Sequence, residues 1–333
     1  MPVQTRAWRL TPDGNYHWET FELPPLQAGE VLVRLRACGL CTGEVMDWYT
    51  RRKAPLVPGH ELVGEIVELG EGVTHLQVGD RVVVHHHAPC LKCAFCQRGA
   101  FVHCPTWRRT KLNPGGLSEY FIAPAEIVQV DVLCVSDSVS DERAAFTEPL
   151  ACVVRSLRRA GFQRGNTLAI IGMGVMGMLH LLLGQAWGAR QILAVDKLPH
   201  RLEFAESQGA TPLHADDVLR TDDAQAEVVV VGPGNESALN LALHLVAPDG
   251  AVVLFTPAPP ETRFPLNWHD VYFREIRLIP SYSASHVEMR QAMLQIEAGL
   301  PVEKLITHRL PLERAPEGYA LLRRAEALKV IVG

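Results

Sequence analysis

The sequence predicts an α/β protein that joins a β-rich domain in the first part of the chain to a doubly wound parallel sheet in the second. The first observation is length, because 333 residues exceed one ordinary domain and suit two. The second is the pattern over roughly the first 145 residues, where glycine and proline are frequent and helical periodicity is rare. The third is the alternation of strand and helix patterns that follows.

Strands dominate the predictions for the first part. Residues 31–37 alternate apolar with polar side chains, which is typical of a half-buried strand. Residues 61–69 and 81–86 are predicted as further strands, with Gly79-Asp80 as the turn before the second. The exception is a short candidate helix over residues 44–49.

The second part alternates helices with strands. A first helix is indicated by apolar residues at helical spacing over residues 150–157, followed by Gly161 as a C-terminal cap. The pattern then predicts strands over 167–171, 191–195, 227–231 and 251–255, and helices over 175–187, 199–208, 236–246 and 286–298. Such alternation indicates a parallel sheet with helices on both faces. Residues 329–332 are too few to stand alone, so we expect them to pair with an earlier sheet.

Composition and charge exclude several classes of protein. Lys plus Arg is 32 and Asp plus Glu is 37, so the net charge is 32 − 37 = −5, which disfavours a nucleic-acid binder. Hydrophobic residues make up 47% of the chain, too many for a disordered protein. The first residues lack the apolar core of a secretory signal, and the longest apolar stretch, residues 168–183, is too short to span a membrane. A reduced cytoplasm is the predicted location, where clustered thiols indicate metal or catalysis.

Four of the eight cysteines fall in one short segment. Cys90, Cys93, Cys96 and Cys104 are spaced C-x2-C-x2-C-x7-C. Four thiolates suit tetrahedral Zn²⁺ and leave no open position, so the segment is predicted to hold a structural zinc. Unbound thiols and an iron–sulfur cluster are the alternatives.

A second, sparser set of residues is suited to a catalytic metal. It consists of Cys41 after an apolar strand, His60 in the run Pro58-Gly-His-Glu61, and Glu148. One thiolate, one imidazole and one carboxylate are ligands that a catalytic zinc takes, with a fourth position left to water or substrate. From spacing alone, a buried cysteine and a simple turn at Gly-His-Glu remain open.

The third motif predicts dinucleotide binding. Residues 172–177 match G-x-G-x-x-G between a predicted strand and a predicted helix, and Asp196 ends the next strand. An acidic residue there accepts hydrogen bonds from the ribose and favours NAD over NADP. Basic residues directly after Asp196 weaken the predicted preference for NAD over NADP. A solvent-exposed helix start explains their presence equally well. The candidate cofactor-binding residues are Gly172, Gly174, Val175, Met176, Gly177, Asp196, Lys197 and Arg201.

A run of three histidines, His85, His86 and His87, directly precedes the cysteine segment. In a strand, alternate side chains point to opposite faces, so we expect that the three do not converge on one ion. The prediction is a partly exposed strand end, with a proton-shuttling role for one of them as the alternative.

The order of these motifs resembles the zinc-dependent medium-chain alcohol dehydrogenases. The resemblance rests on Gly39-Leu40-Cys41, Gly59-His60-Glu61, Gly79-Asp80-Arg81-Val82, the four-cysteine segment, Glu148-Pro149-Leu150 and the glycine motif at 172–177. It implies a GroES-like catalytic domain over residues 1–148 with a zinc lobe at 88–106, a Rossmann NAD-binding domain over 149–285, and a return of residues 286–333 to the catalytic domain.

The resemblance also implies a ligand set. A glutamate at position 148 is similar to the sorbitol, threonine and glucose dehydrogenase branch, which implies Cys41, His60 and Glu148 as catalytic-zinc ligands and Glu61 as an exchangeable one. The family's proton-passing hydroxyl is replaced here by Gly43. Thr42, Glu44 or Glu61, acting through water, are then the candidates for passing the substrate proton to solvent. The histidine that relays this proton in the family is replaced here by Met46.

The implied activity is hydride transfer between a secondary alcohol, polyol or sugar and NAD(P)⁺, giving a ketone, aldehyde or lactone. It needs two zinc ions per chain, one catalytic and one structural, and a small-molecule substrate. A homodimer or homotetramer is expected, with no nucleic-acid or membrane partner. The rival predictions are a zinc-independent NAD(P)H reductase of activated double bonds and a non-catalytic nucleotide-binding protein.

Overall fold

A computed structural model describes residues 3–221 and 225–333. The chain divides into two compact units, of which unit 1 comprises residues 1–151 and 284–333 and unit 2 comprises residues 152–283. Unit 2 is therefore continuous in sequence, whereas unit 1 is built from two separate segments. Among the described residues, every helix is too short or too polar to cross a bilayer.

The secondary structure is mixed, in agreement with the predicted fold class. The strands are β1 (Val3–Leu10), β2 (Tyr16–Leu23), β3 (Val31–Gly39), β4 (Glu61–Leu69), β5 (Arg81–Val84), β6 (Tyr120–Ala123), β7 (Val132–Cys134), β8 (Thr167–Ile171), β9 (Gln191–Asp196), β10 (Thr211–His214), β11 (Ala226–Val231), β12 (Val246–Leu254), β13 (Arg277–Pro280), β14 (Ile306–Leu310) and β15 (Lys329–Val332). The helices are α1 (Asp47–Thr50), α2 (Ala94–Gln97), α3 (Pro105–Arg109), α4 (Ala125–Asp131), α5 (Asp141–Ala144), α6 (Thr147–Ala160), α7 (Val175–Ala186), α8 (Pro199–Ser207), α9 (Glu236–Leu245), α10 (Trp268–Phe273), α11 (His286–Glu297) and α12 (Ala315–Arg323). Short 3-10 helices cover Thr42–Val45, Phe101–His103, Val218–Arg220, Val302–Leu305 and Leu312–Arg314.

Unit 1 is organised around one sheet, in the order β14-β15-β3-β4-β5-β7, with β6 also paired to β3. Strand β15 runs antiparallel to β3, with Ile331 opposite Gly39, and parallel to β14. The expectation that residues 329–332 join an earlier sheet is thus confirmed. The core of this unit lies against the sheet and includes Leu62, Phe121 and Tyr319, all fully buried.

Two local predictions in unit 1 are wrong. Strand β5 ends at Val84, two residues before the predicted end, so His85 and His86 follow the strand rather than belong to it. The predicted helix over 44–49 is two pieces, the 3-10 helix Thr42–Val45 and helix α1, separated by Met46 in an extended conformation. The side chain of Cys41 caps the first piece by accepting a hydrogen bond from the Gly43 N–H, which competes with a continuous helix.

Unit 2 contains a six-stranded parallel sheet in the order β10-β9-β8-β11-β12-β13. The order reverses between β8 and β11, which is the topological switch point of a doubly wound fold. The central strand β8 is buried along its whole length, as its continuous apolar run Thr167–Ile171 requires. The predicted alternation of strands and helices is confirmed for β8, β9, β11 and β12, with element ends shifted by a few residues. The short strands β10 and β13 and helix α10 were not predicted from the sequence.

Candidate metal and dinucleotide sites

The four-cysteine segment folds into a loop that brings its sulfurs together. Helix α2 and the 3-10 turn Phe101–His103 bend the chain so that the thiols of Cys90, Cys93, Cys96 and Cys104 lie within 4.8 Å of one another. The Sγ atoms of Cys93 and Cys96 are 3.6 Å apart, and the Cys90 N–H donates to the Cys104 Sγ at 3.3 Å. Four sulfurs at this separation fit the tetrahedral coordination of a zinc ion.

The environment of these sulfurs affects them unequally, because burial raises the pKa of Cys96 to about 12 whereas the pKa of Cys90 is lowered. Backbone N–H groups, chiefly that of Lys92, lower the pKa of Cys90 to about 6. Apolar side chains, among them the buried Val102 and Trp107, pack against the cysteines. Backbone N–H donors to sulfur and an apolar surrounding are both features of a closed structural site.

A second set of ligands gathers at the start of β4. Cys41 lies just after β3, and His60 and Glu61 lie at the turn into β4 and at its first residue. One ligand atom from each of the three lies within 4.8 Å of the other two. We call these residues the cysteine trio. One sulfur, one imidazole nitrogen and one carboxylate fit a zinc ion with an open fourth position.

The imidazole of His60 is held in place by a carboxylate. Glu44 Oε1 accepts hydrogen bonds from His60 Nδ1 at 3.1 Å and from the Gly59 N–H at 2.7 Å. Its other oxygen accepts the hydroxyl of Tyr319 at 2.6 Å. A carboxylate that binds Nδ1 fixes the ring and leaves Nε2 for a metal.

The contacts among Tyr319, Glu44 and His60 shift the pKa values of all three groups. Burial raises the pKa of Glu44, but His60 and the Tyr319 hydroxyl lower it more, so the carboxylate stays ionised. Burial lowers the pKa of His60, and the charges of Glu44 and Cys41 overcome that effect and raise it well above its ordinary value. Burial and Glu44 together raise the pKa of Tyr319, which keeps its hydroxyl proton available for donation. Sequence reasoning missed Tyr319, because nothing near position 319 signals a metal site.

Glu61 is paired with a lysine from the far end of the chain. Lys329 Nζ contacts Glu61 Oε2 and donates to the Leu40 carbonyl at 3.4 Å. Both side chains are buried, at 0% and 1% exposure, so the pair is shielded from water. Burial raises the pKa of Glu61, and the opposing effect of Lys329 only partly offsets it. This lysine was not predicted from the sequence, although its strand was.

Glu148 lies in a neighbouring group rather than in the cysteine trio. Its carboxylate, His85 and His86 each offer a ligand atom within 4.8 Å of the others. We call these residues the histidine trio. Two of the three histidines, His85 and His86, come together here because they follow β5 instead of alternating within it, whereas His87 lies outside the group. The expectation of partial exposure is wrong for His85, which is fully buried, with Nδ1 bonded to Asp131 Oδ2 at 2.6 Å.

The two trios are neighbours. The rings of His60 and His86 are 5.0 Å apart, and the charge of Glu148 contributes to the raised pKa of Glu61. The ring of His87 packs against that of Trp107, with centroids 4.1 Å apart and planes tilted by 35°, and its Nδ1 bonds the Thr110 carbonyl. Its pKa falls to about 3, chiefly through burial, so it is neutral at physiological pH.

The glycine motif forms the predicted turn between β8 and α7. Gly172 has φ +92°, a conformation that favours glycine. A Cβ on Gly177 would collide with the Gly172 carbonyl, whereas one on Gly174 would meet no atom of the described residues within 4 Å. Open space at Gly174, beside the N–H groups of Val175 and Met176 at the start of α7, fits a dinucleotide pyrophosphate.

Asp196 stands at the end of β9, where it also supports the glycine turn. Its Oδ2 accepts the Met173 N–H at 2.7 Å, and its Oδ1 accepts the N–H groups of Lys197 and Leu198 at 2.7 and 2.9 Å. Arg201 Nη1 lies 3.7 Å from Oδ2. The end of β9 therefore carries an acidic group and, directly beside it, a cation.

Two family profiles match the chain: the alcohol dehydrogenase GroES-like domain over residues 27–131 and the zinc-binding dehydrogenase over residues 175–298. A sorbitol dehydrogenase of Bacillus subtilis (strain 168) is 30% identical over 331 residues, covering 94% of this chain and 93% of its own. The chain belongs to the zinc-dependent medium-chain alcohol dehydrogenase family.

Two further dehydrogenases are similar to this chain and support the family assignment. An L-threonine 3-dehydrogenase of Chelativorans sp. (strain BNC1) is 30% identical over 341 residues, covering 97% of each chain. The structure of a zinc-binding dehydrogenase from Sinorhizobium meliloti 1021 bound to NADP superposes with a TM-score of 0.88 at 25% identity, covering 99% of each chain. This zinc-dependent alcohol dehydrogenase is an NAD(P)-linked oxidoreductase of alcohols or polyols, as the motif order predicted.

Proposed function

We propose that the protein oxidises a secondary hydroxyl of a polyol to a ketone, with the cysteine trio as its catalytic zinc site. The observation that carries this proposal is the convergence of Cys41, His60 and Glu61 around one point, with the imidazole locked by Glu44. Three protein ligands leave one position for the substrate oxygen. When bound there, zinc acts as a Lewis acid that lowers the pKa of an alcohol hydroxyl.

The protein residues supply orientation and charge. Glu44 fixes the imidazole, and Lys329 holds Glu61 in one position by binding its Oε2. Glu148, which the family resemblance implies as a ligand, lies in the neighbouring trio, so we assign Glu61 as the carboxylate in this arrangement. A dinucleotide would be held with its pyrophosphate at the glycine turn and its ribose at Asp196, and it would supply the hydride acceptor.

Thr42 is our candidate for passing the hydroxyl proton to solvent. The carboxylates of Glu44 and Glu61 already bind other groups, whereas Thr42 is exposed and directly follows Cys41. Thr42→Val is expected to lower kcat at acidic pH, and Thr42→Ser to preserve it. If the two variants have equal pH–rate profiles, a group other than Thr42 passes the hydroxyl proton to solvent.

A polyol is the favoured substrate class for two reasons. Polar side chains of the histidine trio adjoin the cysteine trio and suit a substrate with several hydroxyls. The relatives described above include a sorbitol dehydrogenase and an L-threonine 3-dehydrogenase, and sorbitol and threonine both carry secondary hydroxyls. Turnover should be compared across polyols, simple secondary alcohols and 3-hydroxy amino acids with NAD⁺ and NADP⁺, as kcat/KM ratios.

The metal dependence is tested by Cys41→Ser. Loss of one zinc equivalent together with loss of turnover is expected, because the thiolate is the strongest ligand of the trio. Full activity without that zinc equivalent would contradict the proposed catalytic zinc and favour the zinc-independent reductase. Cys134→Ser, at an exposed thiol outside both trios, is the matched control.

For the cofactor, we propose NAD with measurable use of NADP. Asp196 repels a 2′-phosphate, while Arg201 beside it offers a partner for that phosphate. Arg201→Ala is expected to reduce kcat/KM for NADP⁺ more than for NAD⁺. An equal reduction for both cofactors would show that Arg201 supports Asp196 rather than contacting phosphate.

We also propose a cytoplasmic homo-oligomer, a dimer or a tetramer. Helix α10 exposes an aromatic patch, with Trp268 and Phe273 at 72% and 70% exposure. Its neighbour along the chain, β13, is an edge strand of the parallel sheet. Exposed apolar patches and open sheet edges are surfaces that proteins cover by association. Phe273→Glu should shift the mass measured by light scattering towards the monomer, and an unchanged mass would place the interface elsewhere.

A further inference from the structure

We propose that His87 is a specificity-determining residue, which accepts a hydrogen bond from a hydroxyl of the polyol at a carbon other than the one that is oxidised. This inference rests on the function proposed above, because it requires the oxidised carbon to lie at the cysteine trio. His87 itself belongs to neither trio, so its role is recognition of the substrate rather than coordination of a metal.

A series of rings leads from the cysteine trio to His87. The ring centres of His60 and His86 lie 5.0 Å apart, and those of His86 and His87 lie 4.1 Å apart. The ring of His87 is therefore within about 9 Å of the imidazole that belongs to the trio. Carbon–carbon bonds are about 1.5 Å long, so a chain of several carbons that is bound at the trio through one hydroxyl can bring another hydroxyl to His87.

The backbone fixes the tautomer of His87. Its Nδ1 lies 3.0 Å from the Thr110 carbonyl oxygen, which can only accept a hydrogen bond, so Nδ1 carries the proton. Nε2 of a neutral imidazole in this tautomer is an acceptor. Burial lowers the pKa of His87 to about 3, so the ring is neutral at physiological pH. The residue is therefore suited to a group that donates a hydrogen bond, as a hydroxyl does.

The surroundings hold the His87 ring in one orientation. It packs against Trp107, which is 2% exposed, with ring centroids 4.1 Å apart. Thr110 is anchored in turn, because its Oγ1 accepts the Ala88 N–H and donates to the Trp107 carbonyl, both at 3.2 Å. An acceptor that is already fixed binds a substrate hydroxyl with little loss of side-chain freedom, and such precisely placed polar groups give a ligand site its specificity.

The second nitrogen of His87 is accessible to a substrate. Within residues 3–221 and 225–333, Nε2 has no hydrogen-bond partner, and the side chain is only half-buried. This differs from His85, whose Nε2 is completely covered by protein. A ring that only packed against Trp107 would not need an accessible acceptor, so replacing His87 by phenylalanine separates packing from recognition.

The test compares polyols with an alcohol that lacks the additional hydroxyls. For sorbitol, xylitol and erythritol, kcat/KM with NAD⁺ is divided by the value for 2-hexanol. In His87→Phe this ratio should fall about 10-fold for the preferred polyol, through a higher KM, because one substrate hydroxyl loses its acceptor. His87→Gln, whose amide oxygen can accept, should recover part of the loss. His75→Phe is the matched control, at an exposed histidine that also bonds a backbone carbonyl, and it should keep the wild-type ratio.

Calorimetric titration of the same polyols into the enzyme saturated with NADH gives a readout that does not depend on turnover. Their Kd should rise about 10-fold in His87→Phe and stay unchanged in His75→Phe. An unchanged Kd and an unchanged kcat/KM ratio in His87→Phe, or an equal loss of kcat/KM for polyols and 2-hexanol, overturns the role of His87. Polyol binding that depends on His87 without any polyol oxidation contradicts the proposed function instead. A wild-type enzyme that neither binds nor oxidises a polyol overturns both.

Discussion

The buried pair between Glu61 and Lys329 gives the sharpest test of how the catalytic unit is held together. Glu61 is the first residue of β4 and Lys329 the first of β15, and the two strands flank β3 in the sheet. The pair crosses β3 at Gly39, where a Cβ would collide with the Glu61 carboxylate. Lys329→Met removes the cation but keeps most of the side-chain volume, so Glu61 remains buried and unpaired.

The expected cost follows from burial. Because both side chains are almost fully buried, solvent does not screen the pair. Removing one partner of such a pair destabilises a protein by about 3–5 kcal/mol, most of which is the cost of the charge left behind. In the double variant Glu61→Gln/Lys329→Met no charge remains, and we expect it to recover at least half of that loss.

The assay is urea unfolding of the zinc-free protein in the presence of a chelator, so that no metal ion offsets the charge of Glu61, followed by circular dichroism at constant pH. Lys111→Met, at an exposed position, is the matched control and should stay within about 0.5 kcal/mol of wild type. A Lys329→Met protein within about 1 kcal/mol of wild type would refute the reasoning, since it would mean that water reaches Glu61.

Three further predictions concern other parts of the chain. Tyr319→Phe removes the hydroxyl from Glu44 and should weaken zinc binding at His60 about 10-fold in chelator competition, while unchanged affinity would make the contact incidental. His180, bonded to Ser156 and to the Met176 carbonyl, has a pKa lowered to about 4, chiefly by burial. The folded protein therefore takes up its proton later than the unfolded chain, and about 3 kcal/mol of stability is lost as pH falls from about 6.5 to 4. His180→Gln should lack this loss in urea unfolding at pH 7 and pH 4.5, and an equally steep decline would assign the acid sensitivity elsewhere. Cys93→Ser should lose one zinc equivalent and lower Tm, whereas a retained ion would contradict a four-sulfur site.

Local motifs were predictable from the sequence because their members are close along the chain. The cysteines of the metal loop lie within 15 residues, and the glycine turn occupies six, so spacing alone restricts their geometry. The centre of the parallel sheet in unit 2 was predictable for a related reason, since strands such as β8 and β11 carry continuous apolar runs. The edge strands β10 and β13 lack such runs and were missed.

Contacts between distant segments were not predictable. Tyr319 reaches Glu44 across 275 residues, and Lys329 reaches Glu61 across 268. Neither a tyrosine in an amphipathic helix nor a lysine at a strand start carries a local signal of its partner. Hydrophobic periodicity identifies the elements, but not which polar side chains meet when the elements assemble.

The histidine run shows how one misplaced boundary changes a chemical inference. Extending β5 to residue 86 assigned His85 and His86 to opposite faces of the sheet. The strand ends at Val84, and the two side chains converge with Glu148. Strand ends are the least certain part of a sequence-based prediction, and here the end of a strand decides whether two histidines lie beside one carboxylate.

The discontinuous construction of unit 1 has a consequence for the order of events during synthesis. Unit 2 is continuous and has its own core, so it can fold as soon as residue 283 has left the ribosome. The sheet of unit 1 still lacks β15 at that moment, and Glu61 still lacks Lys329. Until that strand is made, Glu61, the carboxylate that we propose as a zinc ligand, lacks the cation that it pairs with in the folded protein. A nascent chain stalled before residue 329 should therefore capture zinc in its cysteine loop but not in the catalytic site.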